Sequence, residues 1–162
     1  AMRRDRAEAL GVRTIGDLAR HAGELRLGAD FEFLARPEWA ALRARYGLGF
    51  REQRQYQSTF MYRAVAGGEV DVISAFSCDG RIAAYDLVVL DDPMQVILPY
   101  DAIMLLAPKR AADGTLRRAL TPLVNAVPIE LMREANQMVD RDENKVSPAQ
   151  AAAWLAREAA LD

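Results

Sequence analysis

Cysteine and histidine are almost absent from this sequence, and their scarcity excludes several kinds of chemistry. Cys78 is the only cysteine, so the chain can form neither an internal disulfide nor a multi-cysteine metal site. His21 is the only histidine, and its place beside Arg20 in a charged stretch suits a surface position better than a catalytic triad. Ser77 and Asp79 flank Cys78 and supply no base to activate its thiol. We therefore predict that the chain is not an enzyme and holds no metal or cofactor.

Long apolar runs and a strong net charge are also missing. The longest apolar stretches, at residues 87–90 and 102–108, are far shorter than the ~20 residues that a membrane span needs. The formal net charge of −2 gives no sign of nucleic-acid binding. No apolar h-region follows residues 1–4, so we expect any targeting segment to lie outside these 162 residues. The carboxylate clusters at 91–92 and 140–143 lack the ligand spacing of a calcium loop.

The sequence does contain an apolar fraction of 51%, which is enough to build a core. Strand patterns also alternate with helix patterns along the chain. Short apolar or alternating segments predict strands at residues 25–28, 50–55, 70–73, 85–90 and 102–107. Helical periodicity, N-cap residues and a stopping glycine predict helices at residues 3–22, 37–47, 58–67 and 79–84. Strands that alternate with helices at this spacing indicate βαβ units around a mainly parallel sheet.

The pattern changes after Pro108, where strand signals end. Alanine- and leucine-rich helices are predicted at residues 115–125, 129–140 and 148–160. Ser147 followed by Pro148 has the form of a capped helix start. The predicted fold class is therefore α/β, with a mainly parallel sheet followed by a C-terminal helical segment.

Aromatic residues and one arginine lie at the predicted carboxyl ends of the strands: Phe31 and Phe33 with Arg36, then Phe76, then Tyr100. In an open α/β sheet, ligands bind outside these strand ends. Aromatic faces attract quaternary ammonium groups, and an arginine offers a forked partner for a carboxylate. This combination suits a zwitterion such as a betaine. On pattern alone, the alternative that these aromatics belong to the core stays open.

Several ordered motifs extend this picture. The chain reads VDVISAFSCDGRI at residues 70–82, YDLVVLDD at 85–92 and PYDA at 99–102. Upstream it reads EFLARP at residues 32–37, and late in the chain NQMVD at 136–140. This series resembles the glycine betaine, choline and carnitine binding proteins of ABC importers, and the similarity extends from about residue 12 to residue 155.

The resemblance implies a periplasmic-binding-protein fold of the second type, in which the ligand sits between two lobes in an aromatic cage. Arg36 then matches the arginine that binds the ligand carboxylate, and Phe76 and Tyr100 match cage tyrosines. Phe33 belongs to the matching EF-xx-RP segment, and Asp79 matches an acid that we assign to holding its loop. The implied ligand is a small quaternary ammonium compound.

The chain also departs from the family pattern. Phe76 keeps the aromatic face but loses a hydroxyl donor. Glu38 and Trp39 stand where the family often has Asp-Gly, and Leu98 replaces the first proline of a PPY segment. These departures leave the ligand open among glycine betaine, choline, carnitine and related compounds.

By resemblance, residues 15–98 are the second lobe of such a protein. Residues 1–14 would be a helical lead-in and crossover. Residues 99–162 would be a crossover strand and C-terminal helices that pack on a first lobe missing from this sequence. The expected partner is an ABC permease, and the expected location is the periplasm or the outer face of the inner membrane. The alternative is a stand-alone lobe that acts as a protein-interaction or regulatory domain, and the uncovered apolar surface would favour self-association.

Overall fold

Strands and helices alternate along the first part of the chain in the computed structural model, which describes residues 1–161. The chain divides into two units, of which the first is Ala1–Leu98 and the second begins at Pro99. The strands of the first unit are β1 (Met2–Arg3), β2 (Arg26–Asp30), β3 (Glu52–Tyr56), β4 (Val72–Ile73) and β5 (Leu87–Val88). Its helices are α1 (Arg4–Leu10), α2 (Ile15–Ala19), α3 (Pro37–Tyr46), α4 (Ser58–Ala66) and α5 (Arg81–Ala84).

The five strands form one sheet in the order β3-β2-β4-β1-β5. Strand β2 pairs in parallel with β3 and β4, whereas β1 is antiparallel to both β4 and β5. Four of the five strands therefore share one direction, and the prediction of a mainly parallel α/β sheet is confirmed. The sequence did not predict β1, which inserts between β4 and β5 and groups the first 14 residues with the rest of this unit.

Local signals explain where several helices begin and end. The predicted helix 3–22 is wrong, because Gly11 adopts a left-handed φ of 65° and ends α1 there. Thr14 then caps α2: its side chain accepts from the Asp17 amide, and the Asp17 carboxylate accepts from the Thr14 amide. Helix α3 has Pro37 in its first turn and ends at Gly47, which also has a positive φ.

Two apolar clusters cover opposite faces of this sheet, since the neighbouring residues Val72 and Ile73 of β4 belong to different clusters. One cluster gathers Leu27 and Val72 with side chains of α2 and α3, including the buried Trp39. The other gathers Ile73 with the buried face of α4, including Tyr62, which is fully buried. Helices on both faces leave the carboxyl ends of β2 and β4 open for a site.

The second unit contains the helices α6 (Gly114–Leu120), α7 (Ile129–Asp140) and α8 (Pro148–Glu158). Helix α7 begins and ends where the sequence predicts. Helix α6 stops before residue 125 because Pro122 lies in a short 3-10 turn, Thr121–Leu123, and cannot continue an α-helix. Ser147 caps α8 in a box with Gln150, as its sequence indicates.

The strand predicted at residues 102–107 is wrong. Residues 101–107 have no regular structure, and none of the strand pairs within residues 1–161 includes them. Ile103 and Leu105 are 74% and 85% exposed. The segment has the composition of a buried strand but no neighbour to complete a ladder, and a strand needs such a neighbour.

Candidate ligand-binding site

A cavity of about 190 Å³, the rim cavity, opens within the first unit at the carboxyl ends of β2 and β4. Asp30 is the last residue of β2, and Ser74 directly follows β4. These two residues and Arg36 bring polar side chains to the cavity. Most of its lining is apolar, and the aromatic members are Phe33, Trp39, Phe50 and Phe76.

Two of these polar residues join the ends of β2 and β4. The Ser74 hydroxyl lies 3.2 Å from the Asp30 carboxylate, to which it donates, and it accepts from the Asp30 amide at 3.2 Å. The other carboxylate oxygen of Asp30 accepts from the Glu32 and Phe33 amides at 2.9 and 3.0 Å. The turn that follows β2 is therefore built on Asp30, and it directs Phe33 to the cavity.

Arg36 is the residue before α3 and contributes a positive charge to the rim cavity. Its Nη2 lies 2.7 Å from Oε2 of Glu32, one helical turn earlier. This ion pair is solvent-exposed, so it contributes little stability. A guanidinium has five donors in a fork that matches a carboxylate, and a ligand carboxylate can therefore compete with Glu32 for it.

Three aromatic rings form a continuous wall along the cavity. The ring centroids of Phe33 and Trp39 are 5.6 Å apart, and those of Trp39 and Phe50 are 6.1 Å apart. Trp39 is buried and contacts both neighbouring rings as well as lining the cavity. Aromatic side chains of this kind can attract an onium group.

Phe76 comes from the loop after β4 and is 46% exposed. Its amide donates to the Tyr62 hydroxyl at 3.1 Å, and its carbonyl accepts from the Asp79 amide at 2.9 Å. Both polar groups of its backbone are thus satisfied by fixed partners. The phenyl ring of Phe76 lines the cavity.

The structure brings together three of the five residues predicted for the site: Phe33, Arg36 and Phe76. Asp79 is not among the residues lining the cavity within residues 1–161. It instead accepts two hydrogen bonds from the Arg81 guanidinium, at 2.9 and 2.6 Å. Tyr100 belongs to the second unit, where it is 81% exposed.

Among the polar and aromatic lining residues, sequence reasoning missed four: Asp30, Trp39, Phe50 and Ser74. The position of Asp30 and Ser74 at strand ends could have identified them, since both satisfy the rule that located Phe33 and Phe76. Trp39 and Phe50 carried no such signal, because they lie inside a predicted helix and at the start of a predicted strand.

Other kinds of site find no support among the described residues. Across residues 1–161, no group of three or more His, Cys, Asp or Glu side chains could hold a metal ion. The helices in this part of the chain are too short or too polar to cross a bilayer.

Comparison with known proteins identifies the family. A family model described as the substrate-binding domain of an ABC-type glycine betaine transport system matches residues 1–157. The chain belongs to this family. The resemblance predicted from the ordered motifs is confirmed, and the description of a binding domain agrees with the prediction that the chain is not an enzyme.

Individual relatives match parts of longer proteins. The carnitine transport binding protein OpuCC of Listeria monocytogenes serotype 1/2a is 27% identical over 147 residues, which make up 86% of this chain and 46% of OpuCC. The ergothioneine transport permease/ergothioneine binding protein EgtU of Helicobacter pylori is 26% identical over 103 residues, or 63% of this chain and 19% of EgtU. The chain thus spans about half the length of OpuCC.

Solved structures confirm the fold class. The crystal structure of a glycine betaine/carnitine/choline ABC transporter protein superimposes with a TM-score of 0.86 and 29% identity, covering 97% of this chain and 58% of that one. Apo YehZ from Escherichia coli gives a TM-score of 0.65 at 22% identity, covering 97% of this chain and 60% of that one. The second likeness concerns the fold alone.

Proposed function

We propose that this chain forms one wall of the ligand site in the solute-binding component of an ABC importer for quaternary ammonium solutes. Glycine betaine, choline, carnitine and close relatives are the candidate ligands. The observation that carries the proposal is the rim cavity, which combines the Phe33 and Phe76 rings with the Arg36 guanidinium at the carboxyl ends of β2 and β4. The family match favours this function over a regulatory interaction domain.

The lining of the cavity supports this ligand class. A trimethylammonium group is large, weakly hydrated and unable to donate conventional N–H hydrogen bonds, so π faces and apolar walls suit it better than polar groups do. Phe33 and Phe76 provide such faces. Arg36 would take the carboxylate of a betaine or of carnitine, whereas choline would leave the guanidinium with Glu32.

A second wall is proposed to come from another α/β lobe outside these 162 residues. The rim cavity is smaller than the roughly 300–1,000 Å³ of ordinary ligand pockets. The chain also covers only 46% of OpuCC and 58% of the best-fitting structure described above. In this proposal, residues 99–161 pack on that second lobe, and the role of Tyr100 as a ligand contact stays a prediction.

The proposed partner is an ABC permease, and the proposed location of this chain is the periplasm or the extracellular face of the inner membrane. Support comes from the family description and from EgtU, whose name joins a permease and a binding protein. The chain would close on its solute together with the second wall and deliver it to the permease. Without that wall, the exposed apolar side chains would favour self-association.

Replacing Arg36 by alanine tests the proposed role of the cavity. We expect the Arg36→Ala variant to bind glycine betaine about 10- to 100-fold more weakly, because a charge-assisted hydrogen bond contributes about 1.5–3 kcal/mol. Choline affinity should change less than about threefold, since choline has no carboxylate. Calorimetry measures both affinities, and NMR titration replaces it where binding is weaker than millimolar.

Arg45→Ala is the matched control, because Arg45 is an exposed arginine of α3, the helix that Arg36 precedes, and it does not line the cavity. It should leave both affinities unchanged. Equal losses for glycine betaine and choline in Arg36→Ala would contradict the assigned role of Arg36. A wild-type chain that shows no response to either ligand or to carnitine, even when joined to a second lobe, would contradict the proposed function itself.

A further inference from the structure

The loop that carries Phe76 rests on a polar cluster made of Tyr62, Asp79 and Arg81. Tyr62 comes from α4 and is fully buried, and its hydroxyl accepts the hydrogen bond from the Phe76 amide at 3.1 Å. The Asp79 amide donates to the Phe76 carbonyl, and the Asp79 carboxylate holds the Arg81 guanidinium at 2.6 and 2.9 Å. The cluster therefore hydrogen-bonds both the amide and the carbonyl of Phe76.

The position of Tyr62 is itself fixed. The guanidinium carbon of Arg81 lies 4.5 Å from the centroid of the Tyr62 ring, which is within cation–π range. Burial first, and the charge of Asp79 second, raise the pKa of Tyr62, so its phenol keeps its proton at neutral pH. The hydroxyl oxygen of Tyr62 accepts the hydrogen bond from the Phe76 amide.

The backbone of Phe76 depends on these hydrogen bonds because its loop has no regular secondary structure. Residues 74–80 contain no strand or helix, and the ring of Phe76 is only half-buried. Attraction between a ring and a cation requires the cation to lie within about 6 Å of the ring centroid, over its face. A small displacement of the backbone would therefore change what the ring can bind.

We propose that Tyr62 is a positioning residue of the rim cavity: its ring lies against the Arg81 guanidinium, and its hydroxyl accepts from the Phe76 amide, which fixes the backbone of Phe76 and thereby places the phenylalanine ring. The consequence for ligand affinity rests on the proposed function. The positioning of Phe76 does not, and it is measured without any ligand.

Hydrogen exchange of the 162-residue chain tests the positioning. Tyr62→Phe removes the hydroxyl and keeps the ring, so we expect the Phe76 amide to exchange about tenfold faster. The amides of β2 should change less than about twofold. Tyr85→Phe, the same substitution at a partly buried tyrosine of the same apolar cluster, should change neither. An unchanged rate at Phe76, or an equal acceleration throughout β2, overturns the proposal.

A double-mutant cycle tests whether Tyr62 acts on the ligand through Phe76. NMR titration with choline should give an affinity about three- to tenfold weaker for Tyr62→Phe and also weaker for Phe76→Leu. Tyr62→Phe should add nothing on the Phe76→Leu background, because neighbouring residues that act as a unit are not additive. The same loss in both backgrounds overturns the proposal. If the wild type binds none of choline, glycine betaine and carnitine, even when joined to a second lobe, the proposed function fails, and the exchange rates still decide the positioning of Phe76.

Discussion

The ion pair of Arg26 and Asp71 ties the start of β2 to the residue before β4. The Asp71 carboxylate accepts from the Arg26 amide at 2.9 Å and from its Nε at 3.0 Å, and Arg26 Nη2 donates to the Gly68 carbonyl at 2.9 Å. The side chains are 29% and 16% exposed, so solvent screens this pair less than a surface pair. Burial alone would raise the pKa of Asp71, but the hydrogen bonds from Arg26 outweigh it and hold this pKa below its ordinary value.

Asp71→Asn should destabilise the fold at pH 7 by about 1–2 kcal/mol, since it replaces charge-assisted hydrogen bonds by neutral ones. The carboxyl pKa is depressed in the folded state, so the wild-type advantage is full above about pH 4 and is lost as the pH falls through the folded pKa. Urea unfolding at pH 7 and at pH 3 measures both effects. Glu69→Gln, at an exposed position of the same turn, is the control. A difference between Asp71→Asn and wild type that is as large at pH 3 as at pH 7 would contradict this account.

The sequence predicted those site residues whose position follows from their neighbours along the chain. Phe33, Arg36 and Phe76 each lie a few residues after a predicted strand, so the rule for strand ends located them. Tyr62 could not be found in this way, because it lies within α4 and meets Phe76 only after the chain has folded back. Its spacing along α4 indicates a core residue, and the function of its hydroxyl is visible only in three dimensions.

At the scale of elements, the segment after β5 is anchored to α3. The Tyr46 hydroxyl donates to the Asp92 carboxylate and accepts from the Met94 amide at 2.9 Å. The second carboxylate oxygen of Asp92 accepts from the Ile97 amide at 2.8 Å. Ile97 lines the rim cavity, so this anchor shapes one side of the site.

Tyr46→Phe should loosen residues 92–97 while leaving the sheet intact. The variant removes the acceptor of the Met94 amide and one donor to Asp92, and each such loss costs about 1 kcal/mol locally. We expect the Met94 and Ile97 amides to exchange about fivefold faster by NMR, with little change in β2 and β3. Tyr85→Phe again supplies the control. Unchanged exchange at both amides would show that the anchor does not hold the segment.

Helices were predictable where a residue at the helix end caps or stops it. Strands were not predictable where they depend on pairing with distant segments of the chain. Gly47 and Ser147 fixed helix termini from the sequence alone. Strand β1 was missed because two residues carry no periodicity, and it exists only through pairing with β4 and β5. The prediction of a strand at residues 102–107 was wrong for the opposite reason. The segment has the composition of a strand, but a partner strand for it is absent from the described residues.

At the scale of the whole molecule, the two units differ in how much apolar surface they bury. Residues 1–98 contain two apolar clusters, whereas between residues 99 and 161 Ala135 and Ala151 are the buried residues. Helices α7 and α8 pack against each other, but the second unit has no core of larger side chains within the described residues. Such a unit needs a surface to cover it, in agreement with the proposed second lobe.

The chain on its own should therefore associate with itself through the exposed residues 100–105. Tyr100, Ile103 and Leu105 are each more than 70% exposed, and covering apolar side chains releases about 25 cal/mol for each Å² removed from water. Sedimentation velocity should show an average mass that rises with protein concentration. Leu105→Lys should reduce this association, because a charge would have to be buried in the contact. Ala112→Lys adds the same charge at an exposed position outside the apolar segment and should not reduce it. A wild-type chain that sediments as a monomer at every concentration would show that this surface needs no cover, and it would remove one of the supports for a second lobe.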